Sequence, residues 1–237
     1  MNLSRFEALT FDCYGTLIDW ETGILGALRP VLSRHGVEMA DEELLALYAE
    51  LEPAAEAPPY RPYREVLVDV VAGIGQHLSF EPSPGELRCL VDSLGHWPPF
   101  PDTVDALRLL GGPFRLGIVS NTDVDLFRRT SEHLGVRFDP VLTAQEARAY
   151  KPDPRPFELA LERIGAPRER VLHVAQSLFH DVIPAKALGL ACVWVNRRAG
   201  RAGTGATPPA AVLETGEARP DLVVPDLASL VGRLGLK

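Results

Sequence analysis

Apolar and polar positions change rhythm twice along this chain. Phe6 to Cys13, FEALTFDC, is a short run rich in Phe and Thr that ends in Asp12 ahead of Gly15, the pattern of a central strand entering a loop. From Trp20 the spacing turns helical. Ile24, Leu28, Val31 and Leu32 share one face between Trp20 and Gly36, and Leu44, Leu45, Leu47 and Tyr48 do so between Asp41 and Leu51, with Asp41 as the cap. Four prolines between Pro53 and Pro62 predict a break, since each removes a backbone donor. Helical spacing resumes from Tyr63 to Leu78, with Val66, Leu67, Val70, Val71 and Ile74 on one side, and Ser83 to Leu94 predicts another helix. Residues 18–97 therefore read as almost wholly helical.

From Pro98 onward strands and helices alternate. Strands are predicted at Phe114–Ser120, Pro140–Leu142, Val171–Ala175, Ala191–Val195 and Leu222–Val224. Helices are predicted at Thr103–Leu110, Asp125–Leu134, Pro156–Ile164 and Asp181–Leu188, the last two stopped by Gly165 and Gly189. Alternation with short links implies βαβ units, right-handed crossovers and a mostly parallel sheet. The expected architecture is an α/β core of residues 1–17 and 98–237, with a helical cap, 18–97, inserted after the first strand. Arg197 to Ala211 is rich in Gly, Ala and Pro and reads as a mobile surface loop; it lacks the GxxxxGK[ST] and GxGxxG patterns of phosphate cradles.

Composition narrows the function classes. Of 237 residues 46% are apolar, enough for a buried core and too many for a disordered chain. A net charge of −8 disfavours DNA and anionic lipid, and no basic patch marks a nucleic-acid surface. An anionic small molecule stays admissible, because one Lys or Arg reverses the field inside a pocket. Cys13, Cys89 and Cys192 form no CxxC pair and no disulfide framework, which suits a reducing cytosol. With no apolar run behind the N-terminal charge and no stretch near the ~18 apolar residues of a membrane span, a cytoplasmic protein is expected.

In an open parallel sheet, chemistry gathers at the carboxyl ends of strands. That rule selects Asp12, Ser120 and Asn121, and the Gln176, Ser177, Asp181 loop; Lys151 stands before Pro152. A carboxylate beside a lysine, ringed by small donors, is what a nucleophilic carboxylate needs. Lys151 would keep Asp12 ionised, and Ser120 with N–H groups near Thr16 would hold a substrate anion. Thr16 either bonds Asp12 or caps a turn. His35, His77, His96 and His133 are dispersed without zinc spacing, and His173 reads as a core histidine. His180 has the pKa range of a general base but could face away from the site. Strand alternation turns Cys13 away from Asp12. Trp20 and Trp97 flank the cap hinges, where packing is their simple role.

FDCYGTL at 11–17, SN at 120–121, KPDP at 151–154 and HVAQSLFHD at 173–181 resemble, in order, the four motifs of the haloacid dehalogenase (HAD) superfamily. The resemblance implies a HAD-like Rossmannoid core with a C1-type cap, and an aspartate nucleophile that forms a covalent intermediate later split by water. Most members are magnesium-dependent phosphatases; a smaller branch, the type II L-2-haloacid dehalogenases, needs no metal. Phosphatases usually carry a second Asp two residues after the nucleophile. Here that residue is Tyr14, and a leaving halide, unlike an alkoxide, needs no proton. The phosphatases' motif-four Asp is Gln176, a poor magnesium ligand, although Asp12 and Asp181 would still hold an ion weakly. The dehalogenases show Ser-Ser-Asn-x-x-Asp there, of which only Ser177 and Asp181 persist; Leu178 replaces the asparagine.

The reaction so implied is hydrolysis of a small 2-haloalkanoate, by an (S)-2-haloacid dehalogenase-like enzyme, without a cofactor. Asp12 attacks C2 opposite the halogen. Asp181 and Ser177 position the water that splits the ester, Lys151 balances the carboxylates, and Ser120 grips the substrate carboxylate. Asn121 and a cap arginine, Arg61 with Arg64 as competitor, contact the halide. Tyr14 lines the pocket with its ring or hydroxyl, and Gln176 borders the substrate. The alternatives are a magnesium-dependent phosphatase on a small ester or nucleotide, and a catalytically idle member that binds a partner through its cap. Apolar helices of the cap or core are compatible with a homodimer.

Overall fold

In a computed structural model the described residues are 5–208 and 219–236. The first strand, β1 (Ala8–Phe11), is buried throughout. Helices α1 (Trp20–Arg34), α2 (Asp41–Glu56), α3 (Tyr63–His77) and the short α4 (Cys89–Ser93) follow before the chain returns through α5 (Thr103–Leu110) and β2 (Arg115–Ser120). Then come α6 (Val124–Ser131), β3 (Val141–Thr143), α7 (Ala144–Ala147), α8 (Arg155–Ile164), β4 (Val171–Ala175), α9 (Ile183–Ala187), β5 (Ala191–Val195), β6 (Leu222–Val224) and α10 (Leu227–Leu234).

The strands form one parallel sheet in the order β3-β2-β1-β4-β5-β6. The order reverses at β1, the switch point where such sheets open a crevice. Phe11 pairs in register with Ile118 of β2 and Val174 of β4. Asp12, Ser120 and Gln176 therefore leave the sheet side by side at its carboxyl edge. Apolar faces of β1, β2, β4 and β5 bury against the helices, so the edge residues stand on a rigid floor.

Four expectations change. Helix α2 does not stop before Pro53 but runs through it to Glu56. Pro53 forfeits one bond to the preceding turn, and the last turn is tied down instead by side chains described below. Ser83–Leu94 breaks into a 3-10 turn at Glu86–Arg88, α4, and a second 3-10 turn at Leu94–His96. The helix expected from Asp181 starts earlier, as a π-type turn at Leu178–Val182 capped by Ser177. Within Arg197–Ala211, residues 209–211 lie outside the described ones, and the start is no free surface loop. Arg198 is buried, its guanidinium bonded to Glu21 of α1 at 2.6 and 2.7 Å and to Glu42 of α2 at 2.6 Å. This clasp ties the core to the cap helices. A second joins Arg64 of α3 to Asp123 and Asp125, and Asp123 also accepts the backbone N–H groups of Tyr63 and Arg64.

Gly23 of α1 lets Trp97 lie against the helix. A Cβ at that position would come 2.2 Å from the indole Cγ. Gly23→Ala is expected to destabilise the protein by about 1–3 kcal/mol through overpacking, read as a lowered urea midpoint; an unchanged midpoint would contradict that packing.

Candidate active site

Gly15, with φ at +88°, turns the chain sharply behind Asp12, and Trp20 fills the space a Cβ would need. Thr16 links two strand ends. Its hydroxyl donates to Asp12 Oδ2 at 2.6 Å and accepts from the Gln176 backbone N–H at 2.9 Å. Arg197 braces the same turn from behind, donating to the Thr16 carbonyl at 2.9 and 3.2 Å. Only Asp12 Oδ1 then meets the lysine.

Lys151 Nζ donates to Asp12 Oδ1 at 2.9 Å, to Asp181 Oδ1 at 2.6 Å and to the Val119 carbonyl at 2.9 Å. Its side chain is 1% exposed, so an ammonium with all three protons committed sits between two buried carboxylates. Burial alone would lower its pKa; the two carboxylates outweigh burial and raise it. One positive charge serves two negative ones, and they share it unequally. Burial pushes Asp181 up, but Lys151 and the 2.9 Å bond from His173 Nε2 hold it below the usual carboxylate range. Burial raises Asp12 above that range, with Lys151 and Thr16 opposing the rise. Asp12 is therefore the more basic and more nucleophilic carboxylate of the two.

Both carboxylates open onto a small cavity of about 30 Å³ between core and cap. Tyr14, Ser120, Asn121, Gln176 and Ser177 line it, brought there by their strand ends. The Tyr14 hydroxyl bonds Thr130 at 2.9 Å, so its ring, not its hydroxyl, faces the site. Ser120 Oγ is buried without a partner among the described residues. Asn121 holds Lys151 at its backbone, accepting its N–H at 2.8 Å and donating to its carbonyl at 3.0 Å. His180 faces inward. Its Nδ1 lies 3.3 Å from Ser177 Oγ, its Nε2 has no partner among the described residues, and burial pulls it down to about 4, keeping it neutral at pH 7.

Arg61 is a correction. It points away from the cavity, donating to Asp69 at 2.6 Å and to the Ala55 carbonyl at 3.2 Å. It precedes α3, and the Asp69 carboxylate within that helix draws the guanidinium outward. Arg64 is equally unavailable, paired with Asp123 and Asp125. Neither cap arginine reaches the site.

The cap wall holds carboxyls instead. Tyr48, Glu52 and Glu56 share one face of α2 at four-residue intervals, and Glu52 and Glu56 line the cavity. Tyr48 and Tyr63 both donate to Glu52 Oε1, at 2.7 and 2.6 Å. Asn121 Nδ2 donates to Glu56 at 3.3 and 3.4 Å. The i, i+4 spacing was visible in the sequence, but Pro53 between the two glutamates argued against one helix.

Burial pushes Glu52 up to about 7 against the two tyrosine hydroxyls. Unfolded, it titrates near its ordinary 4.5, so the folded state keeps the proton across that window. Stability present below pH 4.5 is thus lost as pH rises through about 7. Glu52→Gln removes the titration. It should be more stable than wild type at pH 8 by up to roughly 3 kcal/mol, and the advantage should vanish near pH 4. Urea unfolding at both pH values measures this; a pH-independent difference would rule the titration out.

The family model described as haloacid dehalogenase-like hydrolase matches residues 6–189, and a HAD-hydrolase-like model matches 149–230. The chain is 29% identical over 201 residues to haloacetate dehalogenase H-2 of Moraxella sp. (strain B), covering 82% of this chain and 88% of that one. It is 27% identical over 231 residues to (S)-2-haloacid dehalogenase H-109 of Pseudomonas putida, covering 91% and 97%. Among solved structures, the L-2-haloacid dehalogenase of Xanthobacter autotrophicus with covalently bound chloropropionic acid superposes with a TM-score of 0.77 at 24% identity, covering 96% of this chain and 98% of that one.

Proposed function

The chain belongs to the haloacid dehalogenase-like hydrolases, and from that membership we propose that it hydrolyses a small 2-haloalkanoate to the 2-hydroxy acid through an Asp12 ester. The observation that carries this reading is the Asp12–Lys151–Asp181 cluster with Tyr14 beside it. A basic carboxylate is held at a cavity by a buried ammonium, and the position that would protonate an alkoxide holds a tyrosine tied to Thr130. The two relatives described above, each matched over most of its length, act on haloacids by name.

In the proposed reaction Asp12 attacks C2, and the halide leaves with the bonding electrons. Ser120 Oγ, which has no other partner among the described residues, holds the substrate carboxylate together with Lys151's field. Water then attacks the Asp12 carbonyl of the ester. Two buried acceptors in the wall can take its proton: Asp181 Oδ2 and His180 Nε2, neither with a partner among the described residues. In the tautomer whose Nδ1–H donates to Ser177, neutral His180 carries its lone pair on Nε2.

We propose that the reaction needs no divalent metal. The donor set fits one poorly. Lys151 Nζ occupies the space between the Asp12 and Asp181 oxygens, and Gln176, whose Oε1 accepts from Thr207 at 3.0 Å, replaces the further carboxylate. Among the described residues no group of three His, Cys, Asp or Glu side chains could hold an ion.

Halide release from both enantiomers of 2-chloropropionate, with EDTA and with magnesium, tests the proposal. Release that survives EDTA supports it. Absence of release from either enantiomer, combined with magnesium-dependent hydrolysis of a phosphate ester, would overturn it.

A further inference from the structure

The cavity holds a charge imbalance that the proposed reaction leaves unexplained. Asp12, Asp181, Glu52 and Glu56 line it, and Lys151 is the cation among the lining residues. A haloalkanoate adds one more carboxylate. Like charges in so small a space cannot all remain ionised, so the protons must sit on the cap pair, the members without an ammonium in contact.

Glu56 is the better placed of that pair to act. Both tyrosine hydroxyls are spent on Glu52, whereas among the described residues Glu56 meets only the long Asn121 contacts. It is half-buried and borders two spaces, the inner cavity and an outer vestibule of about 300 Å³. Its proton can therefore exchange with solvent. In the inner cavity it faces Glu52 from its own helix, Asn121 from the end of β2, Lys151, and His180. Across the vestibule stand Arg148, laid over the Tyr60 ring at 4.8 Å, Tyr150 and Asp153. Ser120 Oγ and His180 Nε2, buried and unpartnered among the described residues, mark the inner cavity as built for a polar ligand. In-line attack expels the leaving group away from the nucleophile. Asp12 stands on the core floor and the glutamates form the cap wall, so the group leaves toward them.

Resting on the haloacid reading, we propose that protonated Glu56 is the hydrogen-bond donor that receives the departing halide, and that it adapts this site to fluoride, the strongest hydrogen-bond acceptor among the halides. As the Asp12 Oδ–C2 bond forms and the C2–F bond breaks, fluoride takes the electron pair and a hydrogen bond from Glu56, whose proton stays in place. The later hydrolysis of the ester consumes water, returns Asp12 and releases one proton to solvent. Fluoride then exits through the vestibule past Arg148.

The first experiment needs no turnover. Binding of fluoride ion to the resting protein is followed by ¹⁹F line broadening for wild type, Glu56→Gln and Glu56→Leu, with circular dichroism to check folding. Wild type should bind fluoride roughly tenfold more tightly at low pH, with Glu56 protonated, than at high pH, with it ionised. Glu56→Gln keeps a donor that does not titrate and should show a smaller pH dependence than wild type, with Glu52 supplying the remainder; Glu56→Leu should bind weakly throughout. Equal binding by wild type and Glu56→Leu, or an unaltered pH profile in Glu56→Gln, would overturn the proposal; the pH profile decides alone if the leucine variant does not fold. The second experiment compares release from 2-fluoropropionate and 2-chloropropionate. Glu56→Leu should lose fluoride release by roughly 100-fold more than chloride release, and equal losses would again overturn it. If wild type releases neither halide yet fluoride binding behaves as described, the haloacid reading falls while the Glu56 donor stands.

Discussion

Asp12→Asn should leave a folded protein whose halide release is lower by roughly four orders of magnitude or more. The substitution is isosteric, and Thr16 can still donate to the side-chain oxygen. What disappears is the anionic nucleophile, because an amide oxygen does not displace halide at a useful rate. Lys151 keeps Asp181 and the Val119 carbonyl, so the buried ammonium is not stranded. The fold should survive for that reason. Stopping the wild-type reaction within a turnover and digesting the protein should show substrate mass on the peptide containing Asp12, and none on the variant. Retained release by Asp12→Asn would place the nucleophile elsewhere.

Lys151→Met should remove activity and also cost about 3–5 kcal/mol of stability. Methionine fills much the same volume, so packing is nearly conserved. The electrostatics are not. Asp12 and Asp181 would face each other without the ammonium, each almost wholly shielded from water. Adding Asp181→Asn to Lys151→Met should recover part of the loss, because one of the two uncompensated charges is then gone. That recovery separates a charge effect from a packing effect, and urea titrations of wild type and the two variants measure it. A double variant no more stable than the single one would show that packing around the lysine stem dominates.

The core and its strand-end residues were legible because each depends on a local pattern. An apolar run that ends in Asp12, or in Ser120 and Asn121, is both a strand and its exit, and parallel topology then brings the exits together. Lys151 was legible from its neighbour Pro152. The cap side was harder. Glu52 and Glu56 were hidden by Pro53, a strong breaker on local grounds that tertiary contacts override. Arg61 misled for the opposite reason: the string YRPYREVL places an arginine near the site but not the direction of its side chain, which Asp69 sets. Arg198 sits in a stretch whose Gly and Pro content speaks for a loop and conceals one buried guanidinium. Helix α10 went unread although its signals, Asp226 as cap and Gly235 at the end, are local.

The two ionic clasps, Arg198 with Glu21 and Glu42 and Arg64 with Asp123 and Asp125, hold core and cap around a cavity of about 30 Å³. Any movement of cap against core that widens this space must strain the clasps. Where such movement paces turnover, solvent viscosity, which does not touch bond making, becomes a brake, and the catalytic cycle keeps the time of a hinge.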